Sequence, residues 1–154
     1  MKRIKAWAPA AVWMGVIFAM SAVPGETSGQ QSGMLLELVL RLLGFLLGAE
    51  TAAKISPDTL HLLIRKGAHM AEYAVLFGCY RYALGREGAK RPGLYALLLC
   101  AVYAATDEWH QSFSEDRGPS VIDVGIDTIG AGIAWGIWRI KEVFLPERRM
   151  AKDA

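Results

Sequence analysis

The apolar residues of this chain form long blocks separated by short polar stretches, not the one-sided stripes typical of helices in water-soluble proteins. Most blocks approach the roughly 20 residues with which a helix crosses a hydrocarbon core ~30 Å thick. The pattern therefore predicts an all-α, polytopic membrane helix bundle of about four spanning helices. The predicted spans run from about Ala6 to Val23, from Gly67 to Leu84, from Gly93 to the Asp107–Glu108 region, and from Ser120 to Trp138.

The first block has two interpretations. A basic start and the small residues Ala19 to Ala22 near its end are also features of a cleaved secretory signal peptide. We favour an uncleaved first span. With either interpretation the chain continues on the outer side of the membrane, so the topology of the later spans is the same.

A polar stretch and a short apolar stretch separate the first two spans. Gly25 to Gly33 is rich in turn-forming residues and predicts a loop. Met34 to Gly48 is Leu-rich but only 15 residues long, and Glu37 and Arg41 share one helical face. This predicts a short interfacial or re-entrant helix on the outer side, either a lid that contacts lipid or an edge helix covering the bundle.

Turn and cap signals set the other boundaries. Ser56-Pro57-Asp58 is a strong helix start that leads through Arg65-Lys66 into the second span. Gly85 to Pro92 predicts a basic loop, and Ser112 to Pro119 predicts a turn. We expect one transmembrane domain over residues 1–140. A charged cytoplasmic tail, residues 141–154, would follow it.

The distribution of basic residues predicts the orientation. One set of connections, which includes both termini, carries eleven Lys and Arg residues, whereas the opposite set carries five over a much longer stretch. Because Lys and Arg are enriched in cytoplasmic loops, both termini should be cytoplasmic. The predicted location is the cell (cytoplasmic) membrane, with several passes.

Overall composition agrees with this picture and excludes some functions. The chain has 154 residues, of which 53% are hydrophobic, and its mean hydropathy is +0.26. This length fits one compact domain. A net charge of +2 without a basic stripe gives no reason to expect nucleic acid as a partner.

The spans contain ionisable residues, which are costly inside a membrane and tend to mark function. His69, Glu72 and Tyr73 share one face of the second span. The third span ends in Asp107-Glu108-Trp109-His110-Gln111, and the fourth begins with Asp123 and Asp127 on one face. The predicted topology puts all three groups near the outer face, with Arg117 in the outer turn. The candidate catalytic residues are His69, Glu72, Asp107, Glu108, His110, Gln111, Asp123 and Asp127.

The charge of this set leaves several chemistries open. Five acids face Arg117 and two histidines, and five close carboxylates cannot all be ionised in a low dielectric. Some must be protonated, paired with Arg117 or bound to a cation. A divalent metal is one alternative, with His69, Glu72, Asp107 and His110 as candidate ligands. Without a metal, His69 or His110 would act as a base oriented by an acid.

The same residues resemble the signature of the VanZ-like membrane protein family. The resemblance covers about residues 20 to 135 and rests on Ser21-x-x-Pro24, Lys66-x-x-His69-x-x-Glu72-Tyr73, Asp107-Glu108-x-His110-Gln111-x-Phe113, Arg117 and Asp123-x-x-x-Asp127-x-x-Gly130. It implies a cell-envelope setting and adds Lys66 and Tyr73 to Arg117 as candidate substrate-binding residues. The family's namesake is associated with reduced susceptibility to the glycopeptide antibiotic teicoplanin, so a link to antibiotic resistance is an expectation here.

Three functional hypotheses follow. The first is a hydrolase or transferase that acts on a lipid head group or a lipid-linked envelope precursor. The second is a protein that binds or transports a lipid, a cation or a glycopeptide-related ligand, with the Gly132/Gly136 face available for a homodimer. The third is a structural polar network that sets helix register.

Overall fold

A computed structural model describes residues 2–22, 25–113 and 120–144 of the chain, and every element in these ranges is an α-helix. The all-α fold class is therefore confirmed. In chain order the helices are α1 (Lys2–Ala6), α2 (Ala8–Ser21), α3 (Gly25–Leu47), α4 (Ala49–Ala52), α5 (Pro57–Glu87), α6 (Pro92–Gln111) and α7 (Val121–Phe144).

Helix α5 begins where its sequence predicts. Ser56 has extended backbone angles, and its Oγ accepts a hydrogen bond from Thr59 N at 3.4 Å. Pro57 fills the first helical position, where the missing N–H costs nothing. The helix then runs unbroken for 31 residues and ends at Gly88, whose φ of 79° suits the left-handed conformation that glycine adopts easily.

The loop predicted over Gly25 to Gly33 is wrong, because this stretch forms the beginning of α3. Its glycines lower helix propensity by only about 1 kcal/mol each, and proline, the residue that would break a helix, is absent between residues 25 and 47. The Leu-rich second half can therefore extend the helix backwards at modest cost. The predicted Glu37–Arg41 pair does form, with 2.6 Å between Arg41 Nη2 and Glu37 Oε1.

Helices α6 and α7 match the last two predicted spans and extend beyond them. Helix α6 continues to Gln111, so Asp107 to Gln111 lie on its last turn and a half. Helix α7 passes the predicted end at Trp138 and continues through Arg139 to Phe144. The turn residue Arg117 lies outside the described residues, as does the chain beyond Phe144.

The core lies where α5, α6 and α7 pack together, with α2 against α5 and α6. Ile17, Tyr73, Phe77 and Cys100 are among its largest fully buried side chains. Hydrogen bonds secure α2 to this core: Trp13 Nε1 donates to the Glu72 carbonyl at 2.9 Å, and the Tyr103 hydroxyl donates to the carbonyl of Met14, in α2, at 2.7 Å.

Two segments of the described chain are long and apolar enough to cross a membrane. They are Ile4–Ser21 and Val121–Phe144, with mean hydropathies of 1.4 and 1.3. Many large apolar side chains are exposed on the other helices as well, among them Phe45, Leu98 and Val102. So many exposed large apolar side chains fit a lipid environment better than water.

Candidate functional site

A hydrogen-bonded triad joins α2 to the end of α6. Ser21 Oγ donates to Asp107 Oδ2 at 2.9 Å, and Gln111 Nε2 donates to the same oxygen at 3.0 Å. Gln111 Nε2 also lies 3.3 Å from Ser21 Oγ, which closes the triad. All three side chains are buried, with Asp107 only 3% exposed. Two neutral donors thus hold one carboxylate oxygen in place.

The second part of the site lies on α5. His69 and Glu72 are three residues apart, and His69 Nδ1 lies 3.5 Å from Glu72 Oε2. The Glu72 backbone is positioned by the hydrogen bond from Trp13, and the side chain is mostly buried. Asp107 on α6 and Asp127 on α7 are close enough to His69 to interact with it electrostatically, so acids from three helices lie in its neighbourhood.

Helix α7 approaches α5 closely, and this brings Asp127 near the His69–Glu72 pair. Gly130, one turn after Asp127, packs directly on the Met70 backbone, and a Cβ there would lie 2.6 Å from Met70 Cα. Any larger residue would push the helices apart. Asp127 itself is buried. We call Ser21, His69, Glu72, Asp107, Gln111 and Asp127 the polar cluster.

Two predicted site residues, Glu108 and Asp123, lie at the rim of the cluster and bind groups outside it. Glu108 is buried, and its Oε1 accepts a hydrogen bond from Ser120 N at 2.6 Å. It therefore binds a free backbone N–H just before the start of α7. Asp123 is half-buried and pairs with Lys66, with 2.5 Å between Lys66 Nζ and Asp123 Oδ1.

His110 and Tyr73 border the cluster in different ways. The His110 ring packs on Phe18, with 4.0 Å between ring centroids, rather than on an acid. The Tyr73 side chain is fully buried beside Tyr103. Among the described residues, three buried polar atoms have no hydrogen-bond partner: the Tyr73 hydroxyl, Asp107 Oδ1 and His110 Nδ1. Buried polar atoms are normally paired, so these three atoms are candidate contacts for a ligand.

The geometry gives no support to the proposed metal ligands. In the described part of the chain, no three His, Cys, Asp or Glu side chains are placed so that they could hold a metal ion. His110 in particular lies against Phe18 and not in a set with His69, Glu72 and Asp107. What the arrangement offers is an acid–base pair, His69 and Glu72, beside buried carboxylates.

Sequence reasoning missed the place of Ser21 in the site. A single serine near the end of an apolar block costs little to bury, so it does not stand out in the sequence as a charged residue would. The only signal was its position in the Ser21-x-x-Pro24 motif. Arg117, predicted to contact the substrate, lies outside the described residues, so its position relative to the cluster stays a prediction.

The fold and the site together define a class: a helical protein with an apolar surface and a buried polar cluster near one end of its bundle. The family model for VanZ/LLP1 matches residues 6–142, which is nearly the whole chain. The chain therefore belongs to the VanZ-like family. No curated protein and no solved structure was found to match it.

Proposed function

We propose that the chain is a multi-pass membrane protein that spans the bilayer four times, through α2 (preceded by α1), α5, α6 and α7. Helices α5 and α6 are less apolar than α2 and α7 because they carry more polar and charged residues, and the acids of α6 face inward. On α6, Asp107, Glu108 and Gln111 are buried whereas Leu98 and Val102 are 54% and 64% exposed. With 20 residues, α6 is about 30 Å long, which matches a hydrocarbon core.

The orientation we propose places both termini in the cytoplasm. The end of the bundle formed by the close of α5, the start of α6 and the close of α7 carries Arg86, Lys90, Arg91, Arg139 and Lys141. The enrichment of basic residues on the cytoplasmic side then puts the polar cluster near the outer leaflet. In this arrangement α3 lies on the outer side, as an interfacial or re-entrant helix.

We further propose that the polar cluster recognises and processes the polar head group of a lipid or a lipid-linked envelope precursor. The observation that carries this proposal is that Asp107 and Asp127 are buried on two helices near the His69–Glu72 pair, with polar atoms still unpaired at Asp107 and Tyr73. A head group rich in hydroxyls or amines would supply the missing partners.

Each residue has a role in this proposal. The His69–Glu72 pair transfers protons to or from the reacting group, and Asp107 and Asp127 accept hydrogen bonds from the head group. Asp107 is held ready by Ser21 and Gln111. Lys66, which sits at the rim, and Arg117 would hold a phosphate or carboxylate on the ligand. The reaction would be hydrolysis or group transfer.

A second candidate function is the binding or transport of a proton or cation. The unpaired Asp107 Oδ1 favours it, because a buried carboxylate without a neutralising partner gains most from a bound proton or cation. Four spans are few for a transporter, so this function would require a homodimer. The third hypothesis, a purely structural network, is weakened by the same unpaired atoms.

Lipid analysis of cells tests the proposal directly. Host cells with the protein, without it, or with His69→Ala or Asp127→Asn should be compared for membrane lipids and lipid-linked precursors. We expect the amount of one lipid species to change when the active protein is present. With either variant, this amount should return to the level found in cells without the protein. His61→Ala, on the same helix but outside the cluster, is the matched control and should behave like the wild type.

Two outcomes would count against the proposal. An unchanged lipid profile, with variants that remain folded, would exclude turnover and leave binding or transport. Variants that lose only thermal stability would instead favour the structural network. Teicoplanin susceptibility of the same strains provides a second readout, and we expect it to fall when the protein is present.

A further inference from the structure

A cavity lies at the end of the bundle opposite the polar cluster. It forms where the last turns of α5 and α7 meet the first turn of α6, and its volume is about 910 Å³. Among the described residues, four cationic side chains and one acid line it: Arg81, Lys90, Arg91, Arg139 and Glu142. The volume is within the ~300–1,000 Å³ typical of ligand pockets, so the cavity can hold a head group or a small anion.

The single acid neutralises mainly one of these cations. Glu142 Oε1 lies 2.5 Å from Arg81 Nη2, and Trp138 covers the same guanidinium at 4.0 Å from the ring centroid. Arg139 lies at the longer distance of 3.9 Å from Glu142 Oε2. Among the described residues Lys90 and Arg91 form no ion pair. The cavity therefore has an unbalanced positive charge.

The backbone at the start of α6 adds to the positive charge of the cavity. Arg91 precedes the helix and makes no side-chain capping bond, and Gly93 and Leu94 of the first turn line the cavity. The free N–H groups at a helix N-terminus attract anions. Trp135 of α7 packs on this turn, because a Cβ at Gly93 would lie 2.6 Å from its indole Nε1.

Glycines keep the cavity open on the α7 side. Gly132 and Gly136 line it, and a Cβ built at either position would meet no atom within 4 Å. A side chain added at either position would therefore begin in open space on the cavity side of α7. A substitution at Gly132 or Gly136 can therefore fill part of the cavity without disrupting α7.

We propose that this cavity binds a phosphate group, carried either by an anionic phospholipid of the adjoining leaflet or as free phosphate. Arg91, Lys90 and Arg139 supply the charge, and the start of α6 supplies N–H donors. Basic pockets between membrane helices on the cytoplasmic side are suited to anionic head groups, and the proposed orientation puts the cavity on that side. The site is separate from the polar cluster and does not depend on its function.

The test uses the full chain in nanodiscs, with the unfolding temperature (Tm) as the readout. The discs contain phosphatidylcholine alone, phosphatidylcholine with phosphatidylglycerol, or phosphatidylcholine with added inorganic phosphate. A ligand that binds only the folded protein raises its Tm. We expect phosphatidylglycerol to raise the Tm by several degrees if a lipid supplies the phosphate, and inorganic phosphate to do so if a free anion supplies it.

Variants locate the effect. The double variant Lys90→Gln/Arg91→Gln should lose most of the shift by removing charge, and Gly136→Leu should lose it by filling the cavity. The matched controls on α7 are Lys141→Gln and Gly125→Leu, neither of which lines the cavity. Both should keep the full shift.

Two results would overturn the proposal. One is a wild-type Tm that is the same in all three disc types. The other is an equal loss of the shift in Lys141→Gln and in the double variant, because the effect would then reflect overall charge and not this cavity.

Discussion

The two ends of the helix bundle are built on opposite principles. At one end, the buried Asp107 and Asp127 lie near the His69–Glu72 pair, and Gly130 brings α7 into contact with the α5 backbone. At the other end, cations line an open cavity, and Gly132 and Gly136 leave space unfilled. The comparison shows that helix α7 uses glycine in two ways, for close packing near the polar cluster and for open space near the basic cavity.

The largest effect that we predict tests this difference between glycines. Gly130→Ala would force Cβ into the Met70 backbone, so the free energy of unfolding should fall by about 1–3 kcal/mol or more. Denaturation of the purified protein in detergent micelles measures it. Gly136→Ala on the same helix is the control and should be neutral or slightly stabilising, since alanine favours helix. Equal stability of the two variants would contradict the close packing of α5 and α7.

A smaller effect is expected from the buried triad. Asp107→Ala leaves the Ser21 hydroxyl and the Gln111 amide without their acceptor, which should lower the free energy of unfolding by about 1–3 kcal/mol. Asp107→Asn keeps an acceptor oxygen, so it should lower the free energy of unfolding clearly less than Asp107→Ala does. The same denaturation experiment compares the two. If both variants unfolded like the wild type, the triad would not be a formed structure.

The smallest effect concerns the basic end. Arg81→Gln removes an ion pair with Glu142 and a cation–π contact with Trp138, and we expect a loss of about 1 kcal/mol. Arg41→Gln is the control, because its exposed pair with Glu37 should contribute only about 0.3–0.5 kcal/mol. The unfolding temperatures of the two variants test this expectation: if Arg81→Gln lowered the Tm no more than Arg41→Gln does, the contacts with Glu142 and Trp138 would contribute no more than an exposed ion pair.

The sequence was most informative where one strong local signal decided the structure. Ser56-Pro57-Asp58 sets the start of α5 because a capping hydroxyl and a proline both favour that position. Weak propensities were less informative: the glycine- and serine-rich start of α3 looked like a loop but is helical. Such residues only disfavour a helix, and neighbouring residues can outweigh them.

In the candidate site, too, local sequence signals predicted some features of the structure and left others open. Helical spacing predicted that His69 and Glu72 share a face, and they do. It could not decide between Asp107 and Glu108, which differ by about 100° around the helix. Both are buried, because Asp107 meets Ser21 on α2 and Glu108 meets Ser120 before α7. Which neighbour covers which face depends on tertiary packing, and so do the position of His110 on Phe18 and the role of Ser21.

The central claim is that the polar cluster and the basic cavity lie at opposite faces of the membrane, with the cluster outside. Single cysteines at Lys54 and Lys90, in a chain whose Cys79 and Cys100 are replaced by alanine, test it most directly. Both lysines are exposed, one in the connection before α5 and one in the connection before α6. A membrane-impermeant maleimide should label Lys54→Cys in intact cells and Lys90→Cys only after permeabilisation. Labelling of both positions in intact cells, or the reverse pattern, would contradict the account.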